Sequence, residues 1–188
     1  ENLPVVTIEA WVKPSETPYN GDVVAKAPYA NGGLIFRVSQ QGDGTFAPAV
    51  YTDNWYLIRG SVIPLNVWTH LTMTYDGTTL KGYVNGQEDC SYALPTGGRL
   101  SPNSTPFRIG GTPDTYFHGL IDEVRIYNRV LEEGEIADLY IKSGGVVKPK
   151  PKANPLPEIS YFEAQEDIDK WKLGEGTTLE RATEHATQ

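Results

Sequence analysis

Period-two alternation runs through most of the chain. In residues 68–75, Leu71, Met73 and Tyr75 alternate with His70, Thr72 and Thr74, the pattern of a strand with one apolar face. Asp76-Gly77 breaks this run, a second strand follows over 79–84, and Asn85-Gly86 breaks again before 87–92. Asp-Gly and Asn-Gly tolerate positive φ, which lets the chain reverse with the twist of paired strands. Two successive hairpins make a meander, and its apolar face requires a second layer. Further strands are predicted over 5–12, 23–26, 34–39, 46–51, 56–59, 107–110 and 119–127, with a long Pro-, Gly- and Ser-rich loop over 94–105. The period then changes. Leu131, Ile136, Leu139 and Tyr140 share one helical stripe, acids crowd its start and Gly144 can close its end, so a short helix is predicted over 131–141.

Composition narrows the class. The chain has 188 residues with 19 Gly, 14 Pro and many Thr, Val and Tyr, which suits an all-β protein with many turns. No apolar run reaches the ~20 residues of a membrane helix, so membrane insertion is not expected. A net charge of -8 argues against nucleic acid and anionic membranes as partners. The single cysteine, Cys90, excludes an internal disulfide and reads as a small strand residue. After the helix, residues 143–157 form a Pro- and Lys-rich linker, semi-extended and solvated.

Three segments in order, T-I-E-A-W-V, W-T-H-L-T-M-T-Y-D-G-T-T-L-K-G-Y-V-N-G and G-L-I-D-E-V-R-I-Y, resemble the concanavalin A-like laminin G superfamily, and more narrowly its LamG-like jelly-roll modules. The resemblance covers roughly residues 5–142. It implies a two-sheet antiparallel jelly-roll sandwich with one short C-terminal helix over 1–142, serving as a sugar-binding or adhesion module of a secreted or cell-surface protein. Such modules carry a strand before T-I-E-A-W, whereas only E-N-L-P-V-V precedes it here, so the partner edge of the last strand is expected to be open to strand addition. Residues 158–188 are similar to the start of a second jelly-roll carbohydrate-binding module. They are too short for its core and are expected to be disordered or docked as an added strand.

Alternation sorts the candidate chemistry by face. Ile8, Ala10 and Val12 oppose Thr7, Glu9 and Trp11, while Asp122, Val124 and Ile126 oppose Ile121, Glu123, Arg125 and Tyr127. One face therefore mixes Glu9, Trp11, Trp68, His70, Glu123 and Arg125. It reads either as a sugar groove or as an internal Glu–Arg–His network locking the sheet, and the network takes precedence. The ligand contacts are placed instead on loops: Asp53, Asn54, Trp55 and Tyr56 beside Tyr51, and Asp114, Tyr116, Phe117 and His118. Exposed loop aromatics can stack on the C–H faces of a glycan or polysaccharide. By resemblance, Asp122 is the candidate ligand for a structural calcium ion (Ca2+). Asp22, Asp43 and Asp76 read as turn formers. No strand carries the E-x-D-x-x-E spacing of sandwich glucanases, and no catalytic residues are assigned. The expected function is non-catalytic carbohydrate binding outside the cell. The alternative is an adhesive module that joins neighbouring chains by strand exchange.

Overall fold

The computed structural model describes residues 4–26, 33–100, 105–111 and 115–146. The second-module segment, most of the linker and Asp114 lie outside the described residues.

Among the described residues, ten strands and one helix follow in chain order: β1 (Val6–Pro14), β2 (Asn20–Lys26), β3 (Gly33–Gln40), β4 (Ala49–Tyr51), β5 (Trp55–Leu57), β6 (Thr69–Tyr75), β7 (Thr79–Val84), β8 (Gln87–Ala93), β9 (Phe107–Ile109), β10 (Gly119–Tyr127) and α1 (Glu133–Lys142). They form two five-stranded antiparallel sheets, ordered β10-β1-β6-β7-β8 and β5-β4-β3-β2-β9. Ile8, Leu71 and Met73 of the first sheet and Leu34 and Phe36 of the second are fully buried in the layer between them. Phe36 meets Phe46 edge-to-face with ring centroids 5.3 Å apart, a favoured aromatic geometry.

The turns work as their residues dictate. Asn85 and Gly86 both have positive φ, 52° and 77°, the backbone of a two-residue hairpin turn. Asp76 Oδ1 accepts hydrogen bonds from the Thr78 and Thr79 backbone N–H groups at 2.7 Å each. Asp43 does the same for Gln40 and Thr45, each at 2.9 Å. Asp22 departs from that expectation. It is buried within β2, where it pairs with Arg37 at 2.5 Å and accepts from Thr115 Oγ1 at 2.8 Å.

Three further differences have physical causes. The strand expected over 46–51 is reduced to Ala49–Tyr51, because Pro48 has no N–H for the ladder. The run expected to be half-buried, β6, is buried at every position; on its outer side the rings of Trp11 and of Tyr140 in α1 lie against His70. Strand β10 does not alternate throughout. Glu9 opposes Arg125 but Trp11 opposes Asp122, so β10 carries one extra residue, and Glu123 has φ +53°. This bulge sets both Ile121 and Val124 against the core and sends Asp122, with Glu123 and Arg125, to the outer face. The predicted grouping of Asp122 with Val124 and Ile126 is thereby corrected.

The helix begins two residues later than expected, at Glu133, with Glu132 N–H donating to Glu135 Oε2 at 2.9 Å, half of a capping box. Gly144, at φ +93°, donates to Ile141 O at 3.0 Å and closes the end. Ile136 is fully buried against Tyr83 and Leu131.

Cys90 faces Gly82, and burial pushes its thiol up to about 12, which fits the structural reading over a reactive one. A Cβ on Gly82 would lie 2.7 Å from Cys90 Sγ and 2.9 Å from Phe46 Cε1. The substitution Gly82→Ala is therefore expected to cost about 1–3 kcal/mol through overpacking. Denaturant unfolding checks this, with the midpoint falling at unchanged slope.

Candidate functional site

Register places the outer face of the first sheet in rows. Tyr127–Thr7–Thr74, Arg125–Glu9–Thr72 and Asp122–Trp11–His70 lie side by side. Leu120 and Lys13 begin the next row, and Trp68, two residues before His70, points the same way. The middle of this face is closed. Glu9 has no exposure and His70 only 2%. Arg125 Nη1 and Tyr127 Oη donate to Glu9 Oε1 at 3.0 and 2.8 Å, and His70 Nε2 reaches Oε2 at 3.1 Å. Burial alone would raise the Glu9 pKa, but hydrogen bonds from His70, Tyr127 and Arg125 outweigh it and hold the carboxyl below its ordinary value. Burial, with Glu9 beside it, pushes the Tyr127 hydroxyl up to about 12. The network expected from sequence is present.

The end of the same face is open. A groove of about 720 Å³ is lined by Trp11, Trp68, Asp122, Glu123, Arg125, Leu139, Lys142 and Ser143, within the size range of small-ligand sites. Its walls are fixed from behind. The Trp11 ring stacks on Tyr140 with centroids 5.7 Å apart, and its Nε1 donates to Ser143 Oγ at 3.1 Å. Arg125 is held between Glu9 and Glu123. Trp68 is 40% exposed, leaving much of its ring surface open to solvent. Asp122 Oδ1 accepts the Glu123 backbone N–H at 2.8 Å. The groove thus combines two indoles, hydrogen-bond acceptors and donors. Sequence reasoning placed four of these residues on one mixed face. It missed Leu139, Lys142 and Ser143, whose approach depends on where the helix docks, and it put Asp122 on the wrong face because the bulge is silent in the alternation.

The loop candidates are largely used by the fold. Asp53 accepts from Thr52 Oγ1 at 2.8 Å, Tyr56 Oη at 3.1 Å and Thr96 Oγ1 at 3.1 Å, and these bonds lower its pKa. Asn54 Oδ1 takes the Trp55 backbone N–H at 2.8 Å. Tyr56 stacks on Tyr92 at 6.3 Å, and Trp55 meets Tyr51 edge-to-face at 5.4 Å. In the other cluster Phe117 is 9% exposed and packs into the core, so its ring cannot face a ligand. His118 Nδ1 pairs with Glu16 at 2.5 Å, and Tyr116 is 54% exposed. Of the two clusters, Tyr116 and His118 are the more open, while Tyr51, Trp55 and Tyr56 are half-buried.

Among the described residues no three His, Cys, Asp or Glu side chains converge as metal ligands. Calcium at Asp122 would have to draw most of its six to eight oxygens from backbone and water.

The Glu9 network generates a stability prediction with a definite sign. A carboxyl whose folded pKa lies below its unfolded value of 4.5 stabilises above that pH and loses the contribution as pH falls through the folded value. Glu9→Gln is expected to destabilise by about 2–3 kcal/mol at pH 7. That is less than the roughly 3–5 of a wholly buried pair, because Arg125 is half exposed and screened. Melting both proteins from pH 7 to pH 3 checks this, with the wild-type advantage shrinking below the ordinary carboxylate range.

Comparison with known proteins agrees with this architecture. Domain 4 of AbnA, an extracellular arabinanase of Geobacillus stearothermophilus solved with arabinotriose, is 31% identical with a TM-score of 0.57, covering 72% of this chain and 66% of that one. A Ruminococcus gnavus sialidase CBM40 bound to sialyllactose shares the fold at 16% identity, with a TM-score of 0.60 and 72% and 82% coverage. By sequence, the adhesion G-protein coupled receptor V1 of Danio rerio is 26% identical over 145 residues, 71% of this chain and 2% of that protein. An asparagine-rich protein of Margaritifera margaritifera is 37% identical over 65 residues, 35% of this chain and 9% of that protein. The chain therefore spans a small fraction of the sequence relatives it matches. Residues 5–137 match the family model as well, and the chain belongs to the concanavalin A-like lectin/glucanases superfamily.

Proposed function

We propose that this chain is a non-catalytic carbohydrate-binding module of an extracellular, multidomain protein, and that the sugar lies in the groove at the end of the first sheet. The observation that carries this is the groove itself, where the open Trp68 ring stands beside hydrogen-bonding groups already fixed in place. A pyranose or furanose presents a C–H face to an indole and hydroxyls at its rim, so aromatic stacking and hydrogen bonding meet one ligand together. The arabinanase domain solved with arabinotriose and the sialidase CBM40 solved with sialyllactose support the reading at the level of ligand class. Their folds recur here, while the site residues are argued from this chain alone. No helix among the described residues is long and apolar enough to cross a membrane.

A second reading, strand addition by a neighbouring chain, is favoured by one separate observation. On the edge strands β10 and β9, Ile126 pairs with core-facing Ile8 and Ile109 with core-facing Val24. Both therefore point toward the interior, yet they are 39% and 61% exposed. An added strand beside β10 would cover this flank.

Affinity electrophoresis against a panel of soluble polysaccharides tests the first reading. Retardation is expected for the wild type, with at least tenfold weaker binding, about 1.4 kcal/mol, in Trp68→Ala. Retardation unchanged in Trp68→Ala but lost in Trp55→Ala would move the site to the β4–β5 loop. No retardation by any polysaccharide would reject sugar binding. Repeating the gels with chelator tests calcium at Asp122, which unchanged retardation removes. Light scattering after size exclusion tests strand addition, and a monodisperse monomer at high concentration would sink it.

A further inference from the structure

We infer that the groove selects neutral saccharide chains over charged ones, and that Asp122 and Lys142 are the residues that fix the sugar's orientation. This rests on the sugar-binding reading above and specifies its ligand class.

Most polar groups of the groove are already committed to partners within the protein. Arg125 is already shared between Glu9 and Glu123, so one guanidinium answers two carboxylates. Trp11 Nε1 and Ser143 Oγ satisfy each other and the helix end. Two groups remain. Lys142, exposed in the last turn of α1, has no hydrogen bond or ion pair among the described residues. Asp122 uses one oxygen on the bulge backbone, and its other oxygen has no partner among the described residues. Both line the groove with Trp68. An acceptor and a donor facing one cleft suit neighbouring hydroxyls, each of which can donate and accept.

Charge decides against the alternatives. The lining carries two acids, Asp122 and Glu123, and two bases, Arg125 and Lys142, and ionised Glu9 lies beneath Arg125. A uronic acid or other anionic sugar approaching Lys142 would also meet Asp122, and it would arrive against a protein of net charge -8. An amino sugar would meet Arg125 and Lys142. A neutral ring desolvates no unpaired charge of its own. The apolar side of the ligand has room to extend, because Leu120, in the row beyond Asp122, is 57% exposed.

The test is titration calorimetry of the whole chain with neutral polymers (arabinan, xylan, β-glucan) and a uronate polymer (polygalacturonate), each at low and high NaCl. A neutral polymer is expected to bind, with less than a twofold change in Kd between the two salt concentrations. The substitutions Asp122→Asn, which keeps the bulge hydrogen bond, and Lys142→Met, on the exposed helix end, are each expected to weaken it about tenfold. Polygalacturonate binding that is lost at high salt and in Lys142→Met would overturn the neutral preference while leaving sugar binding in place. Neutral binding that neither substitution changes would overturn the assigned residues. Failure of every polymer to bind would overturn the sugar-binding reading itself, and this inference with it.

Discussion

A carboxylate shut away from water is the constraint on which this sandwich depends. Glu9 sits at the centre of the first sheet's outer face, ionised and without exposure, and three side chains from β6 and β10 converge on it. Each of them offsets part of the cost of burying that charge. The three strands are therefore held in one register by a polar contact as well as by their backbone ladders. That register in turn lets the segment before α1 close over β1, where Leu131 N–H donates to Thr7 Oγ1 at 3.0 Å.

The same arrangement divides the face into a sealed part and an open part. Where Leu131, Ile136 and Tyr83 pack, no ligand can enter. Past Tyr140, which rests on Trp11, the cover ends and the indoles become a rim. Structural and binding roles are thus adjacent rows of one surface, and Arg125 belongs to both. Its guanidinium is oriented by the buried acid below while one edge of it borders the groove.

Much of the fold was legible because local signals agreed with one another. The meander could be read from alternation in 71–75 together with Asp76-Gly77 and Asn85-Gly86, and the helix from its stripe and the closing glycine. The family followed from three ordered segments. The site was less legible. Faces of short strands can be assigned by counting only while the count is unbroken, and the extra residue in β10 broke it at the very position that mattered. Asp53 and Tyr56 resembled ligand contacts because they are polar or aromatic on a loop, yet their bonds are to Thr52, Thr96 and each other. Phe117 carried the same signal and belongs to the core. Lys142 and Ser143 gave no signal, since the meeting of Ser143 with Trp11 spans 132 residues of chain and is a product of docking that brings Lys142 to the groove as well.

The bulge at Glu123 uncouples the rim from the interior. Because Ile121 and Val124 already face inward on either side of it, a chain lacking that one residue would alternate perfectly and keep every neighbour on its present side. The interior is indifferent to whether the extra amino acid exists. Position 123 is in that sense a supernumerary slot, an outward residue of the rim that the hydrophobic interior does not count.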